Sequence, residues 1–292
     1  MMQYHCNGAF IMSSLRHVAW LLLWLATCSQ AATLIRYPLL ATANDPQQQY
    51  MLALLRLACN KSGTDCKLQA ARPMVQSRAI LQLQRPNNSI DLLWTMTSKE
   101  RERQLLPVRI PLYKGLIGWR VALVGEGREQ LLADVKNISD LRAFSAGQGH
   151  DWPDVSILRA AGLTVLTSSD YEPLFSMLNQ QRFDYFPRAA IEIENEYLAH
   201  RNSGISIDPY ILIHYPTAFY FFVAPGNKAL ASMLETGLER AISDGSFERL
   251  FRQFHAGTLR RLQLDKRVII RLGNPLLPAE TPLQRKELWY SP

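Results

Sequence analysis

Apolar and polar positions change period several times along this chain, and the changes mark out elements. Residues 32–38, ATLIRYP, alternate and stop at a proline, which predicts a first strand. From Asp45-Pro46, Tyr50, Leu52, Leu54, Leu55 and Leu57 supply the apolar face of a helix that Asp45 caps. A strand over 66–71, a helix over 75–83 closed by Arg85-Pro86-Asn87-Asn88, and a strand over 90–94 follow. The order β-α-β-α-β predicts a parallel sheet flanked by helices.

A second set of the same order starts at Trp119, without visible sequence similarity to the first. It reads as a strand over 119–124, then a helix that follows Gly125-Glu126-Gly127 and ends near Ile138. A short strand after Phe144 leads to a helix over 155–161, with a strand over 163–166, a helix over 171–180 and a strand over 183–186 beyond it. The next helix, 191–200, carries Glu192, Glu194 and Glu196, and glutamates at alternate helical positions predict a solvated face. Residues 212–222 read as one long apolar strand interrupted by Pro216, followed by helices over 229–242 and 247–254. The proline-rich tail, 267–292, is expected to lie across the body with Trp289 as its anchor, because exposed aromatics are unfavourable.

The N-terminus changes this picture. Met12 to His17 is a basic start, VAWLLLWLA over 18–26 an apolar core, and Thr27-Cys28-Ser29-Gln30-Ala31 a small-residue exit. That layout predicts a secretory signal peptide cleaved after Ala31, with an apolar run too short for a permanent span, and hence a periplasmic location. Met12 begins a complete signal by itself. Leu25-Ala26-Thr27-Cys28 resembles a lipid-attachment signal, with Thr27 a poor fit before the cysteine. Removal of residues 1–31 leaves two cysteines, and in an exported chain Cys59 and Cys66 predict a disulfide. With no histidine near them, metal binding is not expected.

The exported part would keep a net charge of about +6, but its basic residues are scattered and no nucleic-acid-binding motif is present. There is no metal-ligand spacing, no P-loop and no dinucleotide fingerprint, so no cofactor is expected. The densest chemistry is in residues 94–113, where the third strand ends at Trp94-Thr95 and delivers Lys99-Glu100-Arg101-Glu102-Arg103 into a charged turn. Open α/β sheets bind ligands at their strand ends, and a guanidinium there suits a carboxylate. In the second set, Gly147-Gln148-Gly149-His150 precedes a helix start, so its backbone N–H groups are expected to face a ligand.

These parts, together with Phe219 to Asn227 and the "ISDGSFERLFRQF" run, resemble the family-3 extracellular solute-binding proteins of bacterial ABC transporters over residues 32 to about 255. The resemblance implies a periplasmic-binding-protein type II fold: two β/α lobes joined by two crossover segments, with 32–116 plus 222–292 as lobe one and 117–221 as lobe two. It also implies a monomer that captures a small carboxylate-bearing ligand, an amino acid or organic acid, without covalent chemistry. By motif position Arg101 grips the carboxylate. Trp94, Thr95 and Tyr37 line its side, and Gly147, Gln148, Gly149, His150 and Arg188 the other. The family's ammonium-binding aspartate falls at Ala189, so either Glu192 substitutes for it or the ligand is not an ordinary α-amino acid. Partners implied are a membrane permease or a sensor. The alternative is an exported lyase on the same fold, with Glu100, Glu102 or Glu192 as its acid.

Overall fold

The computed structural model describes residues 1–3, 32–39 and 46–291. The signal segment, Cys28 and the capping Asp45 lie outside the described residues. The first set builds two adjoining sheets. Strand β1 (Thr33–Tyr37) is followed by α1 (Pro46–Ser62), β2 (Cys66–Ala70), α2 (Gln76–Leu83) and β3 (Leu92–Met96). β1 and β2 run parallel, Thr33 opposite Cys66. Arg36 ties β1 to the approach of β3 through the Asp91 carboxylate at 2.7 Å. Cys59 at the end of α1 is disulfide-bonded to Cys66 at the start of β2, with Cα atoms 6.0 Å apart.

Beyond β3, residues 99–104 are not a turn. They form a helix, α3 (Lys99–Gln104), because the Ser98 side chain caps it by accepting the Arg101 N–H. Strand β4 (Leu106–Val108) follows. The second set opens with β5 (Trp119–Gly125). The helix expected up to Ile138 is instead a series of turns, and the helix there, α4 (Ile138–Leu141), only begins at that residue, capped by Asn137. Next come β6 (Ser145–Gly149), α5 (Pro153–Ala160), β7 (Thr164–Ser168), α6 (Pro173–Asn179), β8 (Phe186–Ala189), α7 (Ile193–Ala199) and β9 (Ile205–Ile207).

The apolar run over 212–222 divides at Pro216 into β10 (Ile211–His214) and β11 (Phe219–Val223), which belong to different sheets. β11 lies between β3 and β4, antiparallel to both, while β10 is antiparallel to β5. The chain therefore passes between the two β/α units at 113–118 and again at 215–218. These passages touch: the Tyr215 N–H donates to the Gly118 carbonyl at 3.1 Å. A Cβ on Gly118 would lie 2.1 Å from the Tyr215 carbonyl oxygen, so only glycine lets the two strands of the hinge approach this closely.

After β11, α8 (Lys228–Ser243) and α9 (Ser246–Leu262) return to the first unit, α8 packing on α1. The tail is ordered and laid across the body as expected, but its path differs from the assignment of all of 222–292 to lobe one. Strand β12 (Val268–Arg271) pairs in parallel with β10, on the second unit's sheet, before the chain crosses back. Between the units lies a cleft.

Candidate functional site

The cleft encloses a cavity of about 730 Å³, walled on the first unit by Trp94, Met96, Arg101 and Tyr113, and on the second by Arg120, Trp152, Asp154, Tyr171, Arg188, Glu192 and Glu196. Its size and aromatic walls suit a small organic ligand held by a few polar groups.

Arg101 enters from the first turn of α3, one turn beyond the end of β3. Its guanidinium is held from behind: Nη1 donates to Thr95 Oγ1 at 2.9 Å and to the Met96 carbonyl at 2.7 Å, and Nη2 to Gln76 Oε1 at 2.5 Å. Burial pushes Arg101 down to about 10, against the distant pull of Asp151 and Asp154. It stays charged at neutral pH. No carboxylate among the described residues lies within ion-pair distance of it. Glu100 instead pairs with Arg103, and Glu102 accepts from Thr97 at 2.6 Å and pairs with Arg109 at 2.6 Å.

The opposite wall is the reverse case. Arg188, on β8, donates through Nε and Nη2 to the two oxygens of Glu196 at 2.7 and 2.5 Å, and its Nη2 lies 3.1 Å from Glu192. Its guanidinium sits 4.6 Å from the Trp152 ring centre. Arg120, on β5, pairs with Asp154 at 2.6 Å, bonds the Tyr215 hydroxyl at 2.8 Å and lies 3.6 Å from Glu192. The Tyr215 hydroxyl also bonds Asp154. Burial disfavours both guanidinium charges, but the neighbouring carboxylates more than offset it and hold both arginines above their ordinary value. For Glu192, burial and the nearby Glu196 raise the carboxyl, opposed by Arg188 and Arg120. Formally this wall carries two arginines, Arg120 and Arg188, and four carboxylates, Asp154, Glu172, Glu192 and Glu196, so its anions outnumber its cations across the cleft from Arg101.

Of the residues singled out from sequence, Trp94, Arg101 and Arg188 reach the cavity. Tyr37 and Thr95 stand behind that surface, Tyr37 packing on Trp94 with ring centres 5.8 Å apart and Thr95 bonding Arg101. Gly147, Gln148, Gly149 and His150 are not part of the wall. The first three are strand residues in β6, and backbone donors expected to face a ligand are committed: Gly147 N to the Tyr185 carbonyl and His150 N to the Ser168 carbonyl. Their glycines serve close packing instead. A Cβ on Gly147 would lie 2.2 Å from the Phe183 ring, and one on Gly149 2.5 Å from Trp152. Gly149 thus supports the indole on which Arg188 stacks.

Asp154 carries no sequence signal, and the alternation at 192, 194 and 196 places Glu196 in solvent; Glu192 is the one carboxylate of this wall that the resemblance brings forward, as a substitute for the missing aspartate. Residues four apart share a helix face, so Glu192 and Glu196 turn inward together with Arg188, while Glu194 turns away to Arg261 and Thr258. That spacing was the available signal. Ala189, at the slot of the missing aspartate, is buried in β8, and its N–H lies 3.4 Å from Glu192 Oε2.

The sequence matches no protein-family profile. No curated protein matches it. Solved structures do. An ancestral arginine-binding protein bound to arginine is 18% identical, with a TM-score of 0.56 over 76% of this chain and 97% of that one. A Salmonella typhimurium periplasmic binding protein of high arginine specificity is 15% identical, with a TM-score of 0.56 over 77% of this chain and 100% of that one. The second VFT domain of Bordetella pertussis BvgS is 15% identical, with a TM-score of 0.58 over 82% of this chain and 97% of that one. The chain has the two-lobed α/β fold of the periplasmic amino-acid-binding proteins.

Proposed function

We propose that this protein is a periplasmic solute-binding protein that captures a free α-amino acid between its lobes, for delivery to a membrane permease. The observation that carries the reading is Arg101: a buried guanidinium, charged at neutral pH, with no counter-ion among the described residues, across the cleft from a wall whose carboxylates outnumber its arginines. A buried cation without a partner is costly, and a ligand carboxylate supplies the partner in bidentate form. Glu192 then receives the ammonium group, taking the part that Ala189 cannot. Trp94 and Trp152 close over the ligand body. The resemblance to arginine-binding structures supports an amino acid over a simple dicarboxylate, for which the carboxylates of the second wall would be repulsive.

Export by the N-terminal signal completes this reading, and the Cys59–Cys66 disulfide suits an oxidising compartment. A sensor partner in place of a permease is the second reading, favoured by the likeness to a solved histidine kinase sensor domain, 15% identical with a TM-score of 0.55.

The test is a thermal-shift screen against the free L-amino acids, succinate and glutarate. A ligand present at 100 times its Kd stabilises by about 2.7 kcal/mol, so at least one amino acid is expected to raise the Tm. Arg101→Ala should abolish that rise. A response to the dicarboxylates alone, or a rise that survives Arg101→Ala, would overturn the proposal.

A further inference from the structure

Closing a cleft between two lobes requires backbone rotation in the segments that join them. Here those segments are 113–118 and 215–218, and the tail is fastened to both. Leaving β12 on the second unit's sheet, the Leu272 N–H donates to the His214 carbonyl at 2.8 Å, and Asn274 Nδ2 donates to the Pro216 carbonyl at 2.9 Å. The chain then reaches the first unit, where the Leu276 carbonyl accepts the Lys99 N–H at 2.9 Å and the Pro275 carbonyl accepts Lys99 Nζ at 2.9 Å. Lys99 is the first residue of the helix that carries Arg101. Farther on, the tail meets the other passage. The Tyr290 N–H donates to the Lys114 carbonyl at 2.7 Å, and the Trp289 ring lies directly on Gly115, where a Cβ would stand 2.5 Å from it. Gly115 holds a left-handed backbone (φ 76°), a conformation that leaves this seat open only to glycine.

We propose that residues 272–290 are a third crossing between the lobes, a brace fastened to both hinge segments that limits how far the cleft opens. Two crossings alone leave a hinge free to swing about the line joining them. A third, bonded to the carbonyl groups of both, must stretch or detach when the lobes part. Asn274 and Trp289 are positioning residues in this device: neither reaches the ligand cavity.

The proposal rests on the same two-lobed cleft as the amino-acid reading, and its test uses no ligand, so the two can fail separately. In the full chain with Cys6→Ser and Cys28→Ser, spin labels are placed at Arg85→Cys on the first lobe and Ser156→Cys on the second, both exposed positions. Pulsed electron paramagnetic resonance then gives the distribution of interlobe distances. Asn274→Ala and Trp289→Ala are each expected to broaden that distribution and extend its long-distance side. A purely structural role would lower the Tm and leave the distribution in place. Unchanged distributions in variants with the parent's circular dichroism spectrum would overturn the brace. Should Trp289→Ala fail to fold, Asn274→Ala decides alone, since it removes only two hydrogen bonds of a half-buried side chain, one donated to the Pro216 carbonyl and one accepted from the Leu276 N–H.

Discussion

Arg101 and Glu192 set opposite demands on the same cavity. The first is a cation without a counter-ion among the described residues; the second is a carboxyl whose ionised form burial resists. Arg101→Met removes an isolated buried charge, so ligand-free stability in urea is expected to hold or rise, by roughly 1 to 3 kcal/mol, while the thermal response to amino acids disappears. For Glu192 the sign follows from its raised folded value. The folded state binds the proton more tightly than the unfolded chain, so this group favours folding at low pH, and the contribution is lost as pH rises from the ordinary glutamate value through the raised one. Glu192→Gln should flatten that part of the stability profile of the ligand-free protein. An ammonium group bound beside it favours the ionised form, so amino-acid binding should release protons, read by calorimetry in buffers of different ionisation enthalpy. The charged stretch 99–103 at a strand end is a local pattern in the sequence, and within it the family resemblance singles out Arg101. Asp154, Arg120 and Tyr215 were not legible there, since the contacts that join them span 34 to 95 residues and leave no periodicity to read.

Among elements, the long helices were the most legible and the turns the least. Residues 128–135 carry Leu131, Leu132 and Val135 at helical spacing, yet their N–H groups bond carbonyls three residues back, as Leu131 to Arg128 and Val135 to Leu132, in successive tight turns. Leu132 and Val135 are buried all the same, so the core is satisfied without a helix. Helix α8 packs against α1 so closely that a Cβ on Gly237 would lie 1.9 Å from the Ala58 carbonyl oxygen. Gly237→Ala should therefore destabilise by about 1 to 3 kcal/mol, measured as a lowered urea midpoint, despite the better helix propensity of alanine. On α9, His255 is packed among Tyr50, Tyr113 and Phe251, and burial pushes it down to about 4. Its folded value lies below the unfolded one, so its share of stability is present above about pH 6.5 and is lost as the pH falls toward 4. His255→Phe should lessen the acid sensitivity in that window.

For the whole molecule, the repeat of two β/α sets and the order of their parts were visible in the pattern of apolar positions. The return of the tail to the second unit was not. β12 and β10 pair across a sequence separation of 57 residues, Ile211 opposite Val268, and parallel pairing between distant segments has no local signature. Reduction of Cys59–Cys66, which closes a short loop, should lower stability by about 2 to 3 kcal/mol, read from urea titrations with and without reductant. The β12 pairing has a consequence for synthesis. Until Val268 to Arg271 have been made, the backbone edge of Ile211-Leu212-Ile213 stands uncovered on that side, and an open apolar edge is a template for other chains. A chain stopped at Gln263 is expected to self-associate, seen by light scattering, where the full chain stays dispersed. The last strand thus covers an apolar edge that any copy ending before it would leave open.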